Sequence, residues 1–379
     1  MTRPRSQGRR GRPGAAAVLL ALWAAAAAAQ EDQPFEEPSF KPHFTFQWDG
    51  LFRFDDIYNL RVRPDVVRGR FEVRPEVGFQ LSDRLRIGVR AVFDDGTDKN
   101  TANSRNFDNY RSRGETVERY YIEAKPGNFT IVAGAFGIPL AVTEMFWDHD
   151  IQTPGSAVSY QANIGGDSSL TVSAAGFYGP QSQGDQTRIG AGQVIWSTGD
   201  PNRLAFQFAL SYWYFDPHNL KLFFADGRPN LIRQNYPNAQ LDGLLSNYRI
   251  LNAGATVSFP IGPVPVFIGI NGLNNFGLRG IAKEEGDGQA LEVNLTLGRV
   301  GAPGDWRFFY IFQYVEQDAL IGAYNTDDWW FHTWYRGHRI GLSYTVLPNV
   351  FVQGSFMVQQ RLDRNNWLNR ILIDVVKMF

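Results

Sequence analysis

The sequence predicts an all-β protein, a transmembrane up-and-down antiparallel β-barrel of about 16 strands. Apolar and polar residues alternate with a period of two in segment after segment. The connections between these segments are alternately short and long. After residue 30 no apolar run approaches the roughly 20 residues that a membrane helix needs. The 379 residues include no cysteine, which excludes a disulfide-stapled module, a cysteine-ligated zinc site and a lipid anchor on cysteine. Aromatics at 14% are too many for a disordered chain, and a formal charge of −1 gives no sign of a nucleic-acid partner.

The N-terminus reads as an export signal. Residues 1–29 carry Arg3, Arg5, Arg9, Arg10 and Arg12 without an acid, then the apolar run Ala15 to Ala29, which ends in small residues suited to a signal peptidase. The run is short and alanine-rich for a bilayer span. Removing it leaves 32 basic and 38 acidic residues, a charge of −6. Residues 30–42 form a short periplasmic extension, and 43–379 the barrel.

The first strand is expected near 44–54, with Phe44, Phe46, Trp48, Phe52 and Phe54 on one face and Thr45, Gln47, Asp49, Arg53 and Asp55 on the other. Near 67–80, Val67, Phe71, Val73, Val77 and Phe79 alternate with Arg68, Arg70, Glu72, Arg74 and Glu76. Near 85–94, Leu85, Ile87, Val89 and Phe93 oppose Arg86 and Arg90. Strands follow near 116–125, 129–137, 157–164, 169–178, 188–196, 203–215, 248–259, 264–273, 289–298, 305–315, 330–345, 350–360 and 369–379. Leu81 to Arg84, Pro126 to Asn128 and Leu347 to Asn349 are short connections. Asp95 to Glu115, Ile138 to Ser156, Asp216 to Asn247 and Glu316 to Trp329 are long ones. A soluble sandwich gives no reason for this parity.

Lipid requires every backbone group to be paired inside the protein, and among sheets only a closed barrel leaves no edge. Sixteen strands enclose a lumen too wide for side chains alone to fill, so the polar face lines water. Arg53, Arg68, Arg70, Arg74, Arg86 and Arg90, with Glu72 and Glu76, become the candidate wall. In a filled core, the five arginines of the second and third strands would need more buried partners than the segment offers. The third long connection, 137–156, carries Glu144, Asp148 and Asp150 with no Lys or Arg. If it turns inward, an acidic loop faces a basic wall and forms a constriction. Trp48, Tyr212, Tyr214, Trp306, Tyr314, Trp329, Trp330 and Trp334 suit interfacial aromatic girdles.

Enzymatic and metal readings are weaker. Gly166-Asp167-Ser168-Ser169-Leu170 resembles the serine block of an esterase family, yet none of the five histidines has an aspartate three residues before it. The segment reads better as a turn. Asp148-His149-Asp150 alternates its side chains on an extended chain, and Asp94-Asp95-Gly96-Thr97-Asp98 lacks the spacing of a calcium loop. No catalytic residue, cofactor or metal is therefore expected.

Gly134 and Pro139, followed by Trp147-Asp148-His149-Asp150 and Pro154-Gly155-Ser156-Ala157, resemble the G-x-x-x-x-P and W-D-x-D-x-x-P-x-G-x-A signature of a porin family of Gram-negative outer-membrane β-barrels, with one glycine a residue early. Asn103-Ser104-Arg105-Asn106 and Tyr120-Tyr121 are similar to that family's first third. The resemblance covers roughly residues 67–180, and the lysine-rich character of phosphate-selective porins is missing. It implies passive passage of small hydrophilic solutes or ions, and a homotrimer. The end of the chain, with Ile371, Ile373, Val375 and Phe379, resembles the terminal strand read by the barrel-assembly machinery, with Lys377 as a departure. The expected partners are outer-membrane lipid, that machinery and the solutes. A class-distinct alternative is a non-channel barrel, an adhesin, receptor or scaffold, that binds a partner through the long loop Asp216 to Asn247.

Overall fold

The computed structural model describes residues 40–59, 65–96, 114–179, 187–217, 244–326 and 328–378. The signal segment 1–29, most of the extension to 42, Asn103 to Asn106, most of the Asp216 to Asn247 loop and Phe379 lie outside the described residues. The unit Pro42–Phe379 is a closed barrel in which each strand pairs antiparallel with its sequence neighbours and β1 (His43–Tyr58) pairs with β16 (Trp367–Lys377). Between them run β2 (Val66–Ser82), β3 (Leu85–Gly96), β4 (Gly114–Ala124), β5 (Phe129–Gly137), β6 (Gln152–Gly165), β7 (Ser168–Tyr178) and β8 (Arg188–Asp200). The second half comprises β9 (Leu204–Asp216), β10 (Tyr248–Ile261), β11 (Val264–Asn275), β12 (Gln289–Gly298), β13 (Trp306–Val315), β14 (Tyr335–Leu347) and β15 (Val350–Arg361). One short helix, α1 (Ile281–Glu285), lies in the connection before β12.

All 16 expected strands are present, and two boundaries move by five residues. β6 begins at Gln152, five residues before the expected 157, because Gln152 to Ser156 continue the ladder with β5 despite Pro154 and Gly155. The third long connection is therefore 138–151. β14 begins at Tyr335 and not near 330, because the preceding residues turn into the barrel. Gly166-Asp167 is the turn between β6 and β7, as expected. Gly166 has φ 54, a conformation that a side chain would strain.

The two faces are the inverse of a soluble protein's. Phe44 is 74% exposed and Phe52 57%, while Asp49, Arg53 and Asp55 on the opposite face are buried. With every ladder closed, the strand backbone is paired internally and the apolar face points outward. Trp48, Tyr212, Tyr214 and Trp306 stand on that outer face, as expected of girdle residues. Lys377 lies over the Trp48 ring at 5.4 Å and donates to the Met378 carbonyl, which keeps its ammonium at the strand end.

The lumen is not an open tube. Connections 138–151 and 316–334 fold into it and meet, with Asp148 N–H donating to Tyr324 O at 2.7 Å and Thr326 N–H to Glu144 O at 3.1 Å. Trp147 stacks on Tyr324 with centroids 5.0 Å apart and planes 6° from parallel, and it meets Phe177 edge-on and Trp213 face-on. Inward residues of β7 to β10, including Trp213, Phe215, Tyr248 and Ile250, complete this apolar cluster. The expectation of a lumen filled by water alone is corrected accordingly, since one side is a packed aromatic core. Trp329 and Trp330 belong to it and are not girdle residues, because their connection turns inward.

Candidate functional site

Beside the aromatic cluster a cavity of about 910 Å³ remains. Its walls are β1, β2 and β12 to β16, and its inner rim is formed by the two inward connections. Arg53, Arg70, Glu72, Arg74, Glu144, Asp148 and Asp150 line it, whereas Arg68, Glu76, Arg86 and Arg90 sit among neighbouring pairs away from its surface.

These arginines are paired, contrary to the expectation that a filled interior could not supply partners. Arg68 meets Asp55 at 2.5 Å, Arg86 meets Glu76 at 3.0 Å, Arg90 meets Glu118 at 2.9 Å, and Arg70 lies 3.7 Å from Glu72. Arg74 reaches both Asp49 and Asp150 at 2.5 Å. Sequence reasoning counted acids on β2 and β3 alone, but the ladders set Asp49 opposite Arg74 and Asp55 opposite Arg68 across β1 and β2. Glu118 is the extra residue at a register shift between β3 and β4, and this places it beside Arg90.

The third connection is pinned to the wall by its acids. Asp150 binds Arg74, and Glu144 Oε2 lies 3.7 Å from Arg339 Nη1. Asp148 is buried and caps its own turn by accepting from Asp150 N–H at 3.0 Å.

The second inward connection contributes Asp328, which sequence reasoning missed. Its carboxylate binds Arg53 at 2.5 Å and Arg339 at 2.7 Å, and its carbonyl accepts from Arg370 at 2.5 Å. Burial alone would raise the Asp328 carboxyl, but Arg53, Arg339 and Arg370 outweigh that and hold it well below the usual carboxylate range. Two bidentate pairs, Arg53 with Asp374 and Arg370 with Asp55, brace the wall behind it across the β1–β16 closure.

A profile of the family described as "Putative porin" matches residues 219–379. OprB of Pseudomonas putida superimposes with a TM-score of 0.56 at 13% identity, over 88% of this chain and 94% of that one. The fold is porin-like. A mutant of the Rhodopseudomonas blastica porin aligns over 88% of this chain and all of its own at 12% identity, with a TM-score of 0.46. A loop-deletion mutant of OmpT, an outer membrane protein of Vibrio cholerae, gives 0.48 at 10% identity over 88% of this chain and 99% of its own. No curated protein sequence matches the chain. The family match falls on the part of the barrel that holds β10 to β16 and Asp328, whereas the tryptophan-aspartate stretch at Trp147 lies outside it.

Sequence reasoning also missed Glu292, Arg307, Arg339 and Asp374, all on the cavity wall. A signal existed for the inward fold. Along β9, contrast between faces is lost from Tyr212 onward, where Trp213 and Phe215 are as apolar as Tyr212 and Tyr214, because the inner face there meets protein and not water. Ala319-Leu320-Ile321 and Trp329-Trp330-Phe331 are likewise too apolar for a solvated loop.

Proposed function

We propose that this porin-type barrel is a non-enzymatic outer-membrane channel for passive diffusion of small hydrophilic solutes and ions, exported by a cleaved signal peptide. The observation that carries the reading is the 910 Å³ cavity, whose wall holds ionised side chains of both signs rather than a packed apolar filling. Charged pairs held at fixed positions orient water across the passage, so polar solutes exchange hydration for wall contacts while apolar ones must displace ordered water.

The constriction lies where Glu144, Asp148 and Asp150 of the third connection face Arg53, Arg70 and Arg74 of β1 and β2, with Asp328 closing the other side. The long connections face outward from the cell and the short turns face the periplasm, with the C-terminal strand serving the assembly machinery. A homotrimer is the assembly that the family resemblance implies. Planar-bilayer recording of the refolded protein is the test. Stepwise openings are expected, whereas a correctly inserted but silent barrel would overturn the channel and favour an adhesin or receptor.

A further inference from the structure

Arg307, near the short-turn end of β13, is the exception among the arginines that line the cavity. Arg53, Arg70, Arg74 and Arg339, which line the same cavity, each have a carboxylate within 4 Å. Among the described residues Arg307 has none. Its Nη2 donates to Gln353 Oε1 at 2.8 Å and to Ser343 Oγ at 3.3 Å, and its buried Nε has no partner. Neutral acceptors orient the guanidinium without cancelling its charge. Leaving a cation without a contacting carboxylate in a partly desolvated wall costs stability, so packing alone does not account for it.

The surroundings are built for a ligand with an apolar body. The Phe309 and Phe351 rings lie 5.7 and 5.5 Å from the Arg307 guanidinium, and Arg339 approaches Phe309 at 5.4 Å. Phe309 is opposite Gly341 in the β13–β14 ladder, and a Cβ at Gly341 would come within 2.3 Å of its ring. The glycine thus admits an aromatic ring between two guanidiniums, and Phe309, Ile311, Phe351 and Val376 give this stretch of the cavity an apolar floor.

We propose that Arg307 is a docking site in the lumen for the carboxylate of a small solute with an apolar body. The planar fork of a guanidinium matches a carboxylate's two oxygens, and the apolar floor disfavours the more heavily hydrated inorganic phosphate. The inference rests on the channel reading and assigns that channel a solute class.

The test uses benzoate as probe on the full refolded protein in planar bilayers bathed in chloride. Benzoate is expected to reduce single-channel current in a saturable way, and R307Q to raise the half-blocking concentration by about tenfold or more, as loss of a charged hydrogen bond implies. R307K, which keeps the charge but not the fork, is expected to fall between and controls for assembly. Equal block of wild type and R307Q, or block by phosphate but not by benzoate, would overturn the assignment. A silent wild-type barrel is seen before any benzoate is added and sinks the channel reading alone. In that case a benzoate-induced rise in the melting temperature of the detergent-solubilised barrel, abolished by R307Q, still supports the docking site, and its absence overturns it.

Discussion

Single carboxylates decide how the inner wall holds together. Asp328 is held between Arg53 and Arg339 and ionises well below the usual range. D328N would leave two buried guanidiniums short of a partner, at a cost of about 3–5 kcal/mol. The expected readout is a clear drop in the melting temperature of the refolded barrel, and an unchanged value would show that water replaces the carboxylate without loss. The sign with pH follows from the direction of the shift. An acid held low in the folded state contributes stability above its unfolded pKa near 3.9 and loses it as pH falls below that value. Asp287, in the connection before β12, behaves oppositely. Burial and the neighbouring Glu285, Glu316 and Asp318 carboxylates push it up to about 6. Its folded form keeps the proton longer than the unfolded form does, so stability falls as pH rises from about 4 to about 6. D287N is expected to flatten that slope in melts across the interval, by less than ~1.4 kcal/mol per pH unit because the site is partly solvated.

At the scale of elements, the two inward connections form one unit rather than two flexible loops. Their backbones exchange hydrogen bonds, and Trp147 stacks on Tyr324 between them. Y324A removes most of a buried aromatic surface, a loss of about 3–5 kcal/mol in a packed core. With the barrel itself closed by 16 ladders, that loss falls on the connections. The expected outcome is a larger and noisier single-channel conductance with the barrel still folded. An identical current trace would mean that the wall pairs at Asp150 and Asp328 hold the connections unaided. The two faces of the strands were legible in the sequence because an apolar outer side and polar inner contacts impose a period of two. The connections were not legible, since they obey no period. The same blindness placed Trp329 and Trp330 in a girdle, although they lie inside the barrel.

At the scale of the whole molecule, the alternation in β1 to β3 was enough to put the arginines on the inner face, but their partners come from strands and connections distant in sequence. Asp374 meets Arg53 only because β16 closes on β1, and no local pattern announces such a pair. This pairing changes what the wall does. The cavity is not an anion-attracting surface of arginines. Its lining holds eight carboxylates (Asp49, Glu72, Glu144, Asp148, Asp150, Glu292, Asp328 and Asp374) against five arginines and Lys377. The surplus is negative, so a channel of this lining is expected to prefer cations mildly. Neutralising Glu144, Asp148 and Asp150 together leaves five carboxylates against the same six cations and frees Arg74 from one of its partners. The reversal potential in a salt gradient is therefore expected to change sign toward anions. The shift should be large near 0.1 M salt, where the Debye length is about 10 Å, and should shrink at 1 M, where it is about 3 Å. An unchanged reversal potential at low salt would mean that the third connection does not border the conducting path. The cavity beside it would then be a closed recess of the barrel.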